Sequence, residues 1–222
     1  MDATLLLLAD GRFPAGGHAH SHGLEAAVAA GGVSGIGDLE AFLRGRLATA
    51  GLVAAAFAAA TCLWALDADV LVQLDLELDA RTASPASRLA SRRQGRAMLR
   101  AGRAVWPSPL FDNAPGHADG CHHPIALGLT AAAAQLTAAQ AALIAAYGIV
   151  TGPAGAAVRL LGLDPYRTQE LLARLAAACD LVAAQAFDAA SGPPAQLPAN
   201  TAPLADIYAE THATWEVRLF AS

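Results

Sequence analysis

The sequence predicts an all-α protein, a single-domain bundle of about eight to nine helices. Three observations lead to this prediction. Hydrophobic residues make up 55% of the 222 positions and charged residues only 15%, which is enough apolar material for one large core. Ala is the most abundant residue, whereas Val, Ile and aromatic residues are sparse, and this balance favours helix over strand. The apolar residues also recur at helical spacing between clear start and stop signals.

Four helices are predicted in the first half of the chain. The second should end at Gly31-Gly32, and the third should bend or weaken at Gly51. The fourth opens with Ser84 as N-cap and Pro85 as the first helical residue, a favoured pair at a helix start. These helices are expected over residues 5–9, 21–30, 38–66 and 85–106.

Four more helices are predicted in the second half, after a loop at 111–123. Thr137-x-x-Gln140 forms a capping box, and Asp164-Pro165 starts a long helix. Gly152-Pro153 should break the helix that begins at Thr137, because proline cannot donate the next backbone hydrogen bond. The second-half helices are expected over residues 124–134, 137–150, 165–190 and 204–217, with a Pro-rich segment at 191–203.

The helix over 85–106 combines a basic face with a face of small residues. Six arginines fall within an arc of about 140°, namely Arg88, Arg92, Arg93, Arg96, Arg100 and Arg103. Ser91, Gly95 and Gly102 form a ridge that would let a neighbouring helix approach closely. The side expected to be buried carries Ala90, Ala97, Met98, Ala101 and Val105.

The arginine face has three possible interpretations. It is solvated or ion-paired, with Asp75, Glu77 and Asp79 as candidate partners; it contacts an acidic protein; or it contacts nucleic acid. The formal charge of −5 and the pI of about 5.7 disfavour nucleic acid as a partner.

Composition also excludes some chemistry. All 14 basic residues are Arg, and without Lys neither a Walker-type phosphate loop nor Schiff-base catalysis is possible. No catalytic nucleophile, acid/base pair or cofactor site stands out, so we expect no enzymatic activity and no cofactor. Three widely spaced cysteines, no signal-peptide pattern and apolar runs that are short or interrupted predict a cytoplasmic protein that does not span a membrane.

Two histidine groups are candidate metal sites. His18, His20 and His22 would point to one side of an extended chain, where they could share a nickel or zinc ion; a helix beginning by Ser21 would remove that geometry. The second group contains His117, Cys121, His122 and His123, and its adjacent ligands cannot easily converge on one ion.

Several motifs resemble one protein family. The stretch Leu5-Leu-Leu-Leu-Ala-Asp-Gly-Arg-Phe-Pro-Ala-Gly-Gly-His-Ala-His-Ser-His-Gly-Leu-Glu25 is similar to the opening of the urease accessory protein F family. Three further blocks agree in order: Ser91-x-x-Gln94-Gly95-Arg96, Ala156-Ala157-Val158-Arg159-Leu160, and His212 followed by Arg218-Leu219-Phe220-Ala221-Ser222. The sequence departs from the family at His18, Ala213 and Ala221, where Tyr or Phe, Glu and Arg are usual.

The resemblance implies an all-helical, non-catalytic scaffold that tends to form homodimers. Its implied partners are a second accessory scaffold protein of the UreD/UreH type, a nickel-chaperone GTPase of the UreG type, and apo-urease, to which nickel and carbon dioxide are delivered. We expect the segment 218–222 to be a docking tail within the single domain 1–222. The partner-binding residues expected from the resemblance are His18, His20, Glu25, Arg96, His212, Arg218, Leu219, Phe220 and Ser222.

The sequence therefore supports three hypotheses. The first is a scaffold for urease maturation that also modulates the GTPase. The second is a stand-alone nickel- or zinc-binding protein that uses His18, His20 and His22. The third is a helical protein associated with a membrane.

Overall fold

The computed structural model describes residues 3–222, and within them the chain forms nine α-helices and no β-strand. This result confirms the predicted all-α bundle. The helices are α1 (Ala3–Ala9), α2 (Leu24–Ala29), α3 (Ile36–Leu63), α4 (Ala68–Arg81), α5 (Pro85–Val105), α6 (His123–Ala133), α7 (Ala138–Leu161), α8 (Pro165–Ala189) and α9 (Pro203–Ala213).

The centre of the bundle is α7, which packs against α8 and the second half of α3, while α6 lies between α3 and α5. Small side chains make this close packing possible, since many positions at the helix contacts are fully buried alanines. Larger side chains such as Phe57, Leu129 and Leu171 fill the remaining space. The fully buried alanines include Ala55, Ala58, Ala126, Ala142, Ala146 and Ala157.

Local capping signals give the predicted helix starts. The Ser84 hydroxyl accepts from Ser87 N at the start of α5, and Thr137 and Gln140 form the predicted capping box at the start of α7. The Asp164 carboxylate accepts from Tyr166 N at the start of α8. These three predicted helix starts are confirmed. They could be predicted because each cap depends on only a few neighbouring residues.

Four helices differ clearly from prediction. No helix is predicted from the sequence over residues 67–83, but the structure contains α4 there. The N-cap of α4 is Asp67, whose carboxylate accepts from Val70 N. The prediction that Gly152-Pro153 breaks α7 is wrong: the helix continues to Leu161, because buried residues on both sides of Pro153 pack against α3 and α8. The helix predicted from Ser21 begins only at Leu24, after two left-handed residues, and α9 ends at Ala213 rather than at 217.

The predicted weak point in α3 is a local change of helix type. Residues Leu47–Gly51 form one π-helical turn between two α-helical stretches. Gly51 is buried there, with Ile149 of α7 about 3.3 Å from where a Cβ would lie. The turn therefore keeps α3 continuous from Ile36 to Leu63 while the helix passes close to α7.

The small-residue ridge of α5 is confirmed at Gly95 and Gly102. The neighbour of Gly102 is a helix, as expected, whereas the neighbour of Gly95 is a loop. A Cβ on Gly95 would collide with the backbone of the loop at Cys121 and His122, whereas a Cβ on Gly102 would meet Thr130 of α6. The prediction that Val105 is buried is wrong, since Val105 is the last residue of the helix and its side chain is 43% exposed.

Two helices, Ile36–Leu63 and Ala138–Leu161, are long and apolar enough to cross a bilayer by length and composition. Just over half of each apolar window, 56%, is buried inside the bundle. Core helices of soluble proteins share this property, so these two helices are weak support for a membrane span.

Candidate functional site

The final segment 218–222 packs back onto the opening segment 17–25. Ser21 N donates to the backbone oxygen of Ser222 at 2.6 Å, and Ala221 N donates to Ala19 O at 2.7 Å. The Ser21 hydroxyl also donates to Ser222 O at 2.8 Å and accepts from Glu25 N, so it links the tail to the first turn of α2. The two segments thus form one small backbone-paired unit on the surface of the bundle.

Glu25 is the main polar anchor of this unit. Its carboxylate lies 2.8 Å from Nε2 of the buried His212 and accepts from Leu219 N at 2.8 Å and Phe220 N at 3.0 Å. Burial alone would raise the pKa of Glu25, but the hydrogen bonds from His212 and the two amides outweigh burial and lower the pKa. The anchor is therefore an ionised carboxylate at neutral pH.

Phe220 is the apolar anchor, and it packs inside its own chain. The side chain is only 3% exposed, and the Arg159 guanidinium lies 4.3 Å from the centroid of its ring. Arg159 also donates to His18 O at 2.9 Å, so one side chain of α7 holds both segments. Phe220 is thus held within its own chain and is not free in the way a docking tail would suggest. Its expected part in partner binding stays a prediction.

His20 joins the unit through its ring. Nδ1 of His20 lies 2.6 Å from the Ser222 hydroxyl, and the residue is largely buried. Burial, helped by the charges of His18 and Arg93, lowers the pKa of His20 to about 4. The imidazole is therefore neutral at pH 7, and it holds Ser222 by an ordinary hydrogen bond.

The structure brings together eight of the nine residues predicted for partner binding, and Arg96 stands apart. Arg96 is exposed on α5, where its aliphatic stem covers Gly120. Sequence reasoning did not include Arg159 or Ser21 among the site residues, although both lie in the motifs that carry the family resemblance. The eight grouped residues are His18, His20, Glu25, His212, Arg218, Leu219, Phe220 and Ser222.

The outer face of this unit is exposed and apolar with one positive charge. Val217 is 90% exposed, Leu219 is 60% exposed, and Arg218 between them is also exposed. The hydrogen bonds of Leu219 N and Phe220 N to Glu25 thus hold the backbone of the tail while the side chains of Val217 and Leu219 stay exposed. Because this backbone is already ordered, the segment would lose little backbone entropy on contact with another protein.

The histidines of the opening segment do not share one side of an extended chain. His18 lies in a short 3₁₀ turn, His20 is bound to Ser222, and His22 has a left-handed backbone with φ of 55°. Among the described residues, no group of three or more His, Cys, Asp or Glu side chains could hold a metal ion. The metal-binding hypothesis therefore lacks its required geometry.

A second polar cluster joins α4, α5 and the start of α6. The Arg92 guanidinium bridges Asp75 and Asp79 at 2.8 and 2.7 Å, and its side chain is only 3% exposed. The ion-paired interpretation of the arginine face, with Asp75 and Asp79 among the candidate partners, is confirmed at Arg92, which is buried beside these two carboxylates of α4. Asp79 also bonds Nε2 of the fully buried His122 at 2.8 Å.

The order hydroxyl, imidazole and carboxylate occurs in this cluster, since Ser91 Oγ lies 3.0 Å from Nδ1 of His122. Serine hydrolases use the same order of groups. Here, however, Ser91 Oγ also accepts from His123 N and Asp75 accepts from His122 N, so both groups cap the start of α6. The cluster is accounted for by its role in fixing α4, α5 and α6 to one another.

The other residues of the second histidine group are dispersed around this cluster. Cys121 is buried, and burial raises the pKa of its thiol to about 12. His117 is exposed in the preceding loop, where its Nδ1 accepts from Asp119 N. The residues of this group thus make different contacts and do not converge on one metal ion.

The helical bundle, with its opening motif bound to the final segment, fits the class that the motifs indicated, a urease accessory protein. Comparison with known proteins shows the family directly. The family model for UreF matches residues 33–176. The chain belongs to the UreF family of urease accessory proteins, and its role lies in urease maturation.

Curated relatives match over nearly the whole chain. The urease accessory protein UreF of Mycobacterium sp. (strain JLS) is 47% identical over 219 residues, which cover 99% of this chain and 98% of the relative. The proteins of the same name from Mycolicibacterium vanbaalenii and Mycobacterium marinum are 41% and 44% identical over 220 residues, with the same coverage.

Proposed function

We propose that this chain is a non-catalytic scaffold that binds a second urease accessory protein through the face formed by Val217, Arg218 and Leu219. The observation that carries the proposal is the rigid support of this face by Glu25 and Phe220. Exposed apolar side chains next to a guanidinium suit a protein contact, because arginine is enriched at such interfaces and exposed apolar patches mark interaction sites.

The partners in this proposal are the UreD/UreH-type scaffold at the tail, then the UreG-type GTPase, whose activity the complex modulates, and finally apo-urease. The assembly acts in the cytoplasm, which agrees with the three free thiols of Cys62, Cys121 and Cys179. A homodimer is also proposed. Its support is the exposed apolar surface of α8, where Leu181 is 60% and Phe187 42% exposed.

A pull-down with matched variants tests the docking face. Arg218→Ala combined with Leu219→Ala should abolish recovery of the second accessory protein and the GTPase, while the melting temperature of the isolated chain stays unchanged. The control is Arg100→Ala combined with Leu76→Ala, which removes the same side-chain types at exposed sites on α5 and α4; Leu76 is 62% exposed. Full recovery of both partners with the first double variant would refute the docking role of this face.

Deletion of residues 218–222 complements the point variants. The proposal expects the isolated chain to stay folded and soluble and partner recruitment and urease activation to be lost. If the deletion instead makes the chain insoluble, the tail acts chiefly in packing the core. Light scattering on the isolated chain tests the dimer, and a monomeric mass at micromolar concentration would contradict it.

A further inference from the structure

A cavity of about 470 Å³ lies between α3, α5, α9 and the final segment. Its inner wall carries the guanidinium of Arg46 and the imidazoles of His20, His22 and His123. Of the proposed docking face, only Arg218 also lines this cavity, whereas Val217 and Leu219 lie outside its lining. The chemistry of its wall is therefore a separate question.

Arg46 is a cation without a counterion. Its Nε is shielded from solvent and has no hydrogen-bond partner among residues 3–222, and no carboxylate of those residues pairs with the guanidinium. The ring centroid of Phe42 lies 5.8 Å from the guanidinium carbon, and His22 is close enough for the charge of Arg46 to help lower the pKa of His22. Burial lowers the pKa of Arg46 to about 10, so the side chain is still charged at neutral pH.

Other arginines of the chain show how a partly buried guanidinium is normally satisfied. Arg81, on the wall of the same cavity, pairs with Glu77 and donates to the carbonyl groups of Ala195, Leu197 and Pro198. Leaving a buried donor of a charged group unpaired is costly, and native structures rarely do so without an ordered water or a bound ligand. Arg46 differs from Arg81, because its buried Nε has no partner among the described residues; a ligand bound in the cavity would supply one.

The rest of the wall is also suited to an anion. Arg93 and Arg218 line the cavity and form no ion pair among the described residues, where Asp206 is the only lining residue with an acidic side chain. Burial lowers the pKa of His22 and His123, which leaves both rings neutral with one donor and one acceptor nitrogen each. The wall thus combines excess positive charge with neutral hydrogen-bonding groups.

We propose that the Arg46 end of this cavity binds a small carboxylate-type oxyanion. The planar guanidinium can donate two parallel hydrogen bonds to two oxygens of one carboxylate, a geometry that chloride cannot use. The neutral imidazoles beside it supply further hydrogen bonds to an anion that carries its own hydroxyl. Acetate offers the two carboxylate oxygens alone, and bicarbonate adds a hydroxyl; these two anions serve as the probes.

Thermal unfolding of the purified chain tests the site without any partner protein. Sodium acetate and sodium bicarbonate are compared with sodium chloride at equal ionic strength and mildly alkaline pH. Binding to the folded state raises the melting temperature in a concentration-dependent way. The proposal expects a rise with one or both probes beyond that in chloride, and the difference between the probes identifies which oxyanion the cavity prefers.

Two variants and one control assign the effect to Arg46. Arg46→Gln should abolish the rise and weaken the calorimetric affinity about 10- to 100-fold, the value of hydrogen bonds to a charged group. In chloride alone it should melt no lower than the unmodified chain, because it removes an uncompensated buried charge. Arg46→Lys keeps the charge without the planar fork and should bind with intermediate affinity. Arg100→Gln makes the same charge change outside the cavity and should leave binding intact.

Three results would overturn the proposal. They are no stabilisation beyond chloride, equal stabilisation of Arg46→Gln, and an Arg46-dependent response to phosphate that exceeds the response to both carboxylates. Because none of these measurements involves an accessory protein or urease, failure of the anion site is distinguishable from failure of the scaffold function.

Discussion

Gly95 of α5 provides a sharp test of the packing between α5 and the loop before α6. A Cβ at this position would overlap the Cys121 carbonyl oxygen and lie 3.0 Å from the His122 carbonyl carbon and 3.1 Å from the Cys121 carbonyl carbon. These obstacles are backbone atoms, which cannot rotate aside as a flexible side chain can. Gly95→Ala therefore forces the loop away from α5.

The expected size of the effect follows from two opposing terms. Overpacking a core costs about 1–3 kcal/mol, and a rigid backbone obstacle favours the upper half of that range. Replacing a helical Gly by Ala returns about 1 kcal/mol of helix propensity. The net loss of about 1–2 kcal/mol should lower the melting temperature by about 2–8 °C in a chain of this size.

Gly148→Ala is the matched control. Gly148 is also within a helix, but it is exposed and a Cβ there would meet nothing within 4 Å. Only the propensity term remains, so this variant should gain about 0.5–1 kcal/mol. Calorimetry or circular dichroism measures both melting temperatures. If Gly95→Ala is as stable as Gly148→Ala, the close approach of the loop to α5 is wrong.

Three further predictions concern the polar clusters and the absence of catalysis. Arg92→Gln leaves two carboxylates without their buried cation and should cost about 3–5 kcal/mol by chemical denaturation, whereas Arg93→Gln, at an exposed neighbouring position, should cost less than about 0.5 kcal/mol. Since the pKa of Glu25 in the folded chain lies below its ordinary value of 4.5, its stabilisation of the tail is complete above that pH and is lost as the pH falls through the lowered pKa. Glu25→Gln should remove this pH dependence and speed amide exchange at Phe220 already at pH 7; unchanged exchange would show that another contact holds the tail. The purified chain should hydrolyse neither GTP nor urea, and turnover above a protein-free blank that follows the chain through purification would contradict the scaffold function.

Local signals were enough to predict most of the fold from the sequence. The starts of α5, α7 and α8 depend on a capping residue and its near neighbours, as Ser84 and Thr137 show. The same local reasoning failed at Pro153. A proline costs one hydrogen bond and some strain, and only the burial of the helix on both sides shows that packing compensates for the loss.

The candidate site was predictable as a set of residues but not as an arrangement. The motifs indicated Glu25, His212 and the segment 218–222, yet no periodicity relates positions so far apart in sequence. Arg92 shows the same limit: the sequence named Asp75 and Asp79 as candidate partners, but the burial of Arg92 depends on α4, a helix that was not predicted. Contacts between distant elements form through the tertiary fold, which single-sequence patterns do not contain.

The pairing of the opening segment with the tail also has a consequence for the order of folding. The hydrogen bond between His20 and Ser222 joins residues 202 positions apart, and the bonds that Leu219 N and Phe220 N donate to Glu25 span 194 and 195 positions. Closing so long a loop costs chain entropy that is recovered only after the helices between have packed. The tail should therefore dock late, after the core has formed. A partner that recognises the docked tail would then distinguish finished molecules from folding intermediates, and assembly would begin only with chains that have completed their fold.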